Sequence, residues 1–396
     1  MPEVASHLNR RIAALMEGAA QWRDPSSDIR AAARAALEGG EWPPQVVERA
    51  LDNALFDADA VLGSLASKAE ASGEAPLRPH AAHDRNVLAI LPGNVLGPTL
   101  ATAYCAAAAG ARLLLKSSSR ELRLCELVAA QFSALSPVLE GTLIPMRWSG
   151  GDQDLEAKVF PSVQRILAFG SDETIADIKR RAPRHVSVIG YGNAYSVGYV
   201  PLEADVAAAA IAAAADVAMF DQRGCLSPQT IYVEGDAAKA ILFAHALARA
   251  LARLAPALPR APAGDSERAA VAEFLRRLAV RALPATTHAL DTVLTGHAAG
   301  GVPSYVVGVE PMGEPVCAGF GRIAIVKPAA SATQAARAIG AFPHQLDTIG
   351  IAGALDHHRP EFLACSPSRI CALGEMQRPP FGYRPRIADF QLGSAA

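Results

Sequence analysis

Along the first 85 residues the apolar positions recur at helical spacing. Val4, Leu8, Ile12 and Leu15 line one face of a first helix. Ser26-Ser27-Asp28 can cap a second, which Gly39-Gly40 ends. Pro43-Pro44 opens a third, with Val47, Leu51, Leu55 and Leu62 along it. Residues 73–79 read as a linker. From Asn86 the period changes. Short apolar runs at 87–91, 112–115, 143–146, 163–169 and 185–189 predict strands, with helices between them, among these one from Leu96 and one from Glu121. Such alternation predicts parallel βαβ units, and a doubly wound sheet of that kind takes ligands at the carboxyl ends of its strands. After Pro201 come an Ala-rich helix, the segment 220–228, a strand at 230–233 and helices at 236–255 and 265–283. Strands near 302–309 and 322–327 complete a second α/β unit, and 379–383 reads as part of an irregular tail.

Composition sharpens this picture. The chain has 396 residues, 51% of them hydrophobic, which suffices for two or three domains with sizeable cores. Charged residues make up 19% and the formal net charge is −2, so no basic stripe points to nucleic acid. Lys179-Arg180-Arg181 fits a solvated helix end. Residues 1–21 hold no apolar stretch behind a basic start, and the most apolar helix, at 206–215, is too short to span a bilayer. The expectation is a soluble cytoplasmic protein with neither leader nor membrane span. The six cysteines form no C-x-x-C pair, and no histidine joins them at metal-ligand spacing, so a reduced chain without a metal is expected.

Several catalytic signatures are missing: there is no G-x-S-x-G elbow, no H-E-x-x-H and no Walker loop. Gly319-Phe-Gly321-Arg-Ile-Ala324 fits G-x-G-x-x-A but runs into a β-like segment, whereas a dinucleotide motif needs a helix there. Phe220-Asp-Gln-Arg-Gly-Cys225-Leu-Ser-Pro-Gln229 is more informative. A cysteine on a Gly-containing turn between helix and strand can be exposed and near backbone N–H donors, which favour a thiolate and the oxyanion of a thiohemiacetal. By residue type alone, a core thiol is the favoured reading of Cys225.

The wider pattern chooses between these. The run from Asp205 through the alanines to Cys225 resembles the helix and loop that carry the aldehyde dehydrogenase nucleophile. Leu91-Pro-Gly-Asn94 resembles the segment whose Asn donates to the oxyanion. Ala111-Arg-Leu-Leu-Leu-Lys116-Ser-Ser-Ser119 is similar to the strand ending in the cofactor-binding Lys, and Ala168-Phe-Gly170-Ser171 to the turn that opens a helix beside the cofactor. The four stand in the family's order across 85–385. Within the superfamily, Cys225-Leu-Ser-Pro-Gln-Thr-Ile-Tyr-Val, Gly319-Phe-Gly-Arg-Ile-Ala-Ile-Val-Lys-Pro and Leu346-Asp-Thr-Ile-Gly look most like the acyl-CoA reductase (LuxC-like) branch. Taken singly, Asn94 could be a turn residue, Lys116 a solvated strand end and Ser171 a helix cap.

The departures are informative. Hydrolytic aldehyde dehydrogenases carry a Glu that activates water for deacylation. The matching stretch here, Val186-Ser-Val-Ile189-Gly-Tyr-Gly-Asn193, has no carboxylate, and the branch's frequent Lys is replaced by Asn193. Ser119 stands where the family's carboxylate would hold the adenosine ribose, followed by Arg120. The resemblance therefore implies an α/β, aldehyde dehydrogenase-like fold: a helical N-terminal region at 1–85, a Rossmann-like dinucleotide-binding domain at 86–202, a catalytic domain at 203–373 and a tail at 374–396. It implies NAD(P)H-dependent reduction of an acyl thioester, from CoA or a carrier, to an aldehyde. Cys225 and Asn94 would be catalytic, and Lys116, Ser119, Arg120, Gly170 and Ser171 would hold NADPH, with NADH possible. A homo-oligomer is expected on the same ground. Two other classes stay open: a CoA-independent aldehyde dehydrogenase, marked by acid formed from aldehyde and NAD(P), and a non-catalytic partner subunit, marked by failure to bind a nicotinamide cofactor.

Overall fold

The computed structural model describes residues 2–72, 86–118, 122–281, 292–299, 302–318 and 320–391. The expected linker at 73–79 lies outside them. The chain divides into two compact units, Met1–Gly192 with Pro379–Ala396, and Asn193–Arg378.

The first unit begins with α1 (Pro2–Arg23), α2 (Asp28–Leu37), α3 (Pro44–Ala54) and α4 (Ala58–Ser72). Ser27 caps α2 by accepting from the Arg30 N–H. The single third helix expected from Pro44 onward is in fact two. Leu55 leaves the helical ladder at φ −133°, and its carbonyl accepts from Arg23 Nη1 at 3.2 Å. Helical periodicity continues across the break because both helices pack a face against α1. Gln131 ties the helices to the sheet layer: its Oε1 accepts from Trp22 Nε1 at 2.8 Å and from the Tyr104 hydroxyl at 3.0 Å.

Alternating strands and helices follow: β1 (Asn86–Ile90), α5 (Pro98–Ala109), β2 (Arg112–Lys116), α6 (Leu122–Leu135), β3 (Leu143–Met146), α7 (Gln153–Val159), β4 (Arg165–Phe169), α8 (Asp172–Arg181) and β5 (Ser187–Tyr191). They form one parallel sheet in the order β3-β2-β1-β4-β5. The order reverses between β1 and β4, where a doubly wound sheet opens its ligand crevice. Leu88, Ile90, Leu114, Ile166, Phe160 and Trp148 are part of the core on the sheet.

The second unit comprises β6 (Tyr195–Val200), α9 (Val206–Ala218), β7 (Pro228–Glu234), α10 (Ala237–Leu254), α11 (Asp265–Arg281), β8 (Val293–Thr295), β9 (Ala298–Ala299), β10 (Val302–Pro303), β11 (Val306–Val309), β12 (Ile323–Ala329), α12 (Ala332–Ala341), β13 (Leu346–Ile351), α13 (Leu355–Leu363) and β14 (Arg369–Ala372). Its sheet runs β14-β13-β6-β7-β12-β11-β8, parallel except for β8 against β11. Four of its strands, β6, β8, β13 and β14, are beyond those expected.

Two expected boundaries move. The first lay after residue 202, but β6 pairs with β7 and β13, so the unit changes at Gly192. The expected tail at 374–396 is split, and its part from Pro379 belongs to the first unit. Phe381 N–H donates to Asp57 Oδ1 at 2.8 Å, Arg165 Nη1 donates to the Asp389 carbonyl at 2.7 Å, and Phe390 is buried. Among the described residues no helix is long and apolar enough to cross a membrane.

Candidate active site

In the first unit, the ends of β1, β2 and β4 lie side by side. Ile90 is in register with Lys116 on one side and with Ala168 on the other. The sequence-expected residues Asn94, Lys116, Gly170 and Ser171 are therefore gathered at one sheet edge, at the point of strand reversal. Asn94 is exposed on the loop between β1 and α5. That loop is pinned by the Leu91 N–H donating to the Lys116 carbonyl at 2.9 Å. A Cβ on Gly93 would stand 2.9 Å from Ser118 Cβ, so only glycine lets the Pro-Gly-Asn turn approach the end of β2 this closely.

The end of β2 has the chemistry to hold a phosphorylated ribose. Lys116 is half-buried, and desolvation lowers its amine from the ordinary value against the pull of the Glu156 carboxylate. The hydroxyls of Ser117 and Ser118 are buried without a hydrogen-bond partner among the described residues. Leaving a buried hydroxyl unpaired costs about 1–3 kcal/mol, and a ribose hydroxyl or phosphate oxygen would relieve it. Ser119 and Arg120 lie outside the described residues. Ser171 Oγ accepts from the Thr174 N–H at 3.2 Å and caps α8. The first turn of α8 carries Asp172 and Glu173, which already answer the helix dipole, so β2 is better provided for a phosphate than α8.

In the second unit, Cys225 is exposed on the turn between α9 and β7. The chain reaches it through three consecutive left-handed residues, Phe220 (φ 52°), Asp221 (φ 50°) and Gln222 (φ 64°). None is glycine, and each such conformation costs about 1–3 kcal/mol unless its surroundings enforce it. They do. Asp221 Oδ1 accepts from Arg322 Nε at 2.7 Å, in an ion pair with side chains 1% and 3% exposed. Its Oδ2 accepts from the Ala261 N–H at 2.9 Å. Gln222 binds the start of β12 from both ends, donating to the Ile323 carbonyl at 2.7 Å and accepting from the Ile323 N–H at 2.6 Å. Arg223 and Arg260 both donate to Glu267 at 2.8 Å. The Cys225 carbonyl accepts from Ser196 Oγ at 2.6 Å.

Among the described residues, three carboxylates around this segment are engaged. Asp221 and Glu267 face arginines. Asp216, on α9, accepts from the N–H groups of Gly374 at 2.6 Å and Met376 at 3.0 Å, and burial pushes it up to about 7. Among the other thiols, Cys105 and Cys125 are buried. Desolvation pushes Cys371 up to about 12 and Cys317, though exposed at its edge, up to about 11.

Sequence reasoning missed Asp221, Gln222, Arg322 and Ser196. The Gly319–Ala324 stretch fails as a dinucleotide motif and resembles the LuxC-like branch; its arginine is the partner of Asp221. Among the described residues, one group has side-chain types that suit a cation: Glu203, His357 and His358 bring a ligand atom each within 4.8 Å of one another. His358 Nε2 and Glu203 Oε1 form a hydrogen bond of 2.8 Å. This group follows the carboxyl end of β6, whereas Cys225 precedes the amino end of the parallel strand β7, so it stands apart from the nucleophile.

Comparison with known proteins agrees with this geometry. A family model described as acyl-CoA reductase (LuxC) matches residues 44–384. A long-chain acyl-protein thioester reductase of Aliivibrio fischeri is 31% identical over 119 residues, 30% of this chain and 24% of that one. Another, of Photorhabdus laumondii, is 29% identical over 160 residues, 40% of this chain and 33% of that one. The aligned segments thus span a third or less of these relatives. The fold is that of the aldehyde dehydrogenases. An NADP-dependent enzyme of E. coli superposes with TM-score 0.66 at 18% identity, over 94% of this chain and 78% of its own. An NAD-dependent benzaldehyde dehydrogenase of Corynebacterium glutamicum does so with TM-score 0.65 at 16% identity, over 96% and 83%.

Proposed function

The chain belongs to the acyl-CoA reductase (LuxC) family, and from that premise we propose that it reduces an acyl thioester, bound to CoA or to a carrier, to an aldehyde through an acyl-enzyme on Cys225. The observation that carries this reading is an exposed cysteine on a rigid turn beside which Asp221, Glu267 and Asp216 are each engaged. Cys225, as thiolate, attacks the thioester carbonyl. A C–S bond forms, the negative charge moves to oxygen, and the Asn94 amide donates to it. The carbonyl re-forms, the C–S bond to the donor breaks, and the donor thiol leaves with a proton. Asp221, Glu267 and Asp216 are held by arginines or backbone N–H groups, so none stands ready to take a proton from water, and the acyl group on Cys225 survives hydrolysis. A nicotinamide cofactor supplies the hydride that reduces this acyl group. Collapse of the resulting thiohemiacetal releases the aldehyde and restores the thiol. Long-chain acyl-protein thioesters, named for the relatives, belong among the donors to test beside acyl-CoA. A reducing, cytoplasmic setting fits six cysteines of which no two are joined in a disulfide.

Water should compete poorly with a thiol for the acyl-enzyme. With acyl-CoA alone, intact mass spectrometry should find Cys225 acylated. Rapid release of free acid without added thiol would contradict the reading.

The preferred reductant should be NADPH. Lys116, with the hydroxyls of Ser117 and Ser118, which have no partner among the described residues, suits a 2′-phosphate. Ser119 replaces a carboxylate that would repel it, and Arg120 can grip it with two parallel hydrogen bonds. Comparing kcat/KM for NADPH and NADH in wild type, Ser119→Glu and Arg120→Ala checks this. Ser119→Glu should shift the ratio toward NADH. A wild-type preference for NADH would sink the idea. A preference for NADPH that Arg120→Ala leaves intact would remove Arg120 from it.

A further inference from the structure

We propose that Ser196 is a positioning residue for the nucleophile, a reading that rests on the role of Cys225. Ser196 is fully buried on β6. Its hydroxyl donates to the Cys225 carbonyl at 2.6 Å and accepts from the Thr348 N–H on β13 at 3.1 Å. One side chain therefore links the turn that carries the thiol to the centre of the sheet.

Both ladders flanking β6 slip register at this residue. On one side Ser196 pairs with Pro228 and Val197 with Thr230, which leaves Gln229 extra. On the other Tyr195 pairs with Leu346 and Val197 with Ile349, so two residues oppose one. A bulge interrupts backbone pairing, bends the strand and re-aims what it carries, and bulges gather beside active sites for that reason. Here the Thr348 N–H and the Cys225 carbonyl both meet the serine hydroxyl. Because the peptide unit is planar, holding the Cys225 carbonyl fixes the Cys225–Leu226 peptide plane. From the other side the Ser227 N–H donates to the Gly224 carbonyl at 3.1 Å. The turn is thus held across Cys225, and the direction of its side chain with it. An error of about 1 Å in placing a reacting group can cost about a hundredfold in rate.

The test uses the full-length protein, with turnover of acyl-CoA and the rate of Cys225 alkylation by iodoacetamide read by peptide mass. Ser196→Ala should lower kcat and the alkylation rate together, by about ten- to a hundredfold, with the cofactor KM unchanged. Ser196→Cys fills nearly the same space with a far weaker donor. It should lose kcat alike, and it keeps the idea testable if the alanine variant does not fold. Thr230→Val is the control. It deletes part-buried hydrogen bonds of 2.8 and 3.1 Å to Val316 and none to Cys225, so stability should fall but neither rate. Folded Ser196 variants with wild-type kcat and alkylation would overturn the proposal, as would an equal loss of both in Thr230→Val. If Cys225→Ala still turned over, the acyl-enzyme on Cys225 would fall by itself, while the alkylation rates would still decide whether Ser196 holds the turn.

Discussion

Cys225→Ala should abolish turnover while a nicotinamide cofactor still binds. Covalent catalysis divides one difficult step into two easier ones, and alanine offers no atom for the acyl group to bond. The change is made on an exposed turn, whose shape is set by Gln222, the Asp221–Arg322 pair and Ser196 rather than by the thiol, so folding should be little affected. Iodoacetamide should label Cys225 ahead of the other five cysteines. Cys105 and Cys125 are buried, and desolvation holds Cys317, Cys365 and Cys371 in the thiol form. Turnover by the alanine variant, or preferential labelling of another thiol, would remove Cys225 from the mechanism.

Asn94→Ala should lower kcat by about 10²–10³-fold, or roughly 2.7–4 kcal/mol of transition-state stabilisation, the usual cost of one oxyanion donor. Asn94 is exposed on its loop, and the approach of the turn to β2 depends on Gly93, so truncating the amide should leave the local backbone in place. Cofactor affinity should change little, since the groups suited to the ribose lie on β2. Thermal unfolding alongside steady-state kinetics separates the outcomes. A loss seen only as weaker cofactor binding would show that Asn94 serves the cofactor and not the oxyanion.

The sequence by itself determined what is local. The alternation of strands and helices from Asn86, the Ser27 and Ser171 caps, the Pro-Gly-Asn turn and the Gly-Cys turn each rest on residues within one turn or one strand of each other, and periodicity and residue type report them. Likewise, the absence of a carboxylate at 186–193 could be read directly. The tertiary structure decided what depends on strand order and register. Asp221 and Arg322 are 101 residues apart, and nothing near Asp221 announces a left-handed backbone, because its neighbours are not glycine. Ser196 meets Thr348 across 152 positions only because β13 lies beside β6 and both ladders bulge there. One residue of slip turns a side chain to the opposite face, so such a contact exists only once the register is set. The same holds for β6 and for the segment after Pro379: neither differs in local pattern from what precedes it, and pairing and packing alone assign each to its unit.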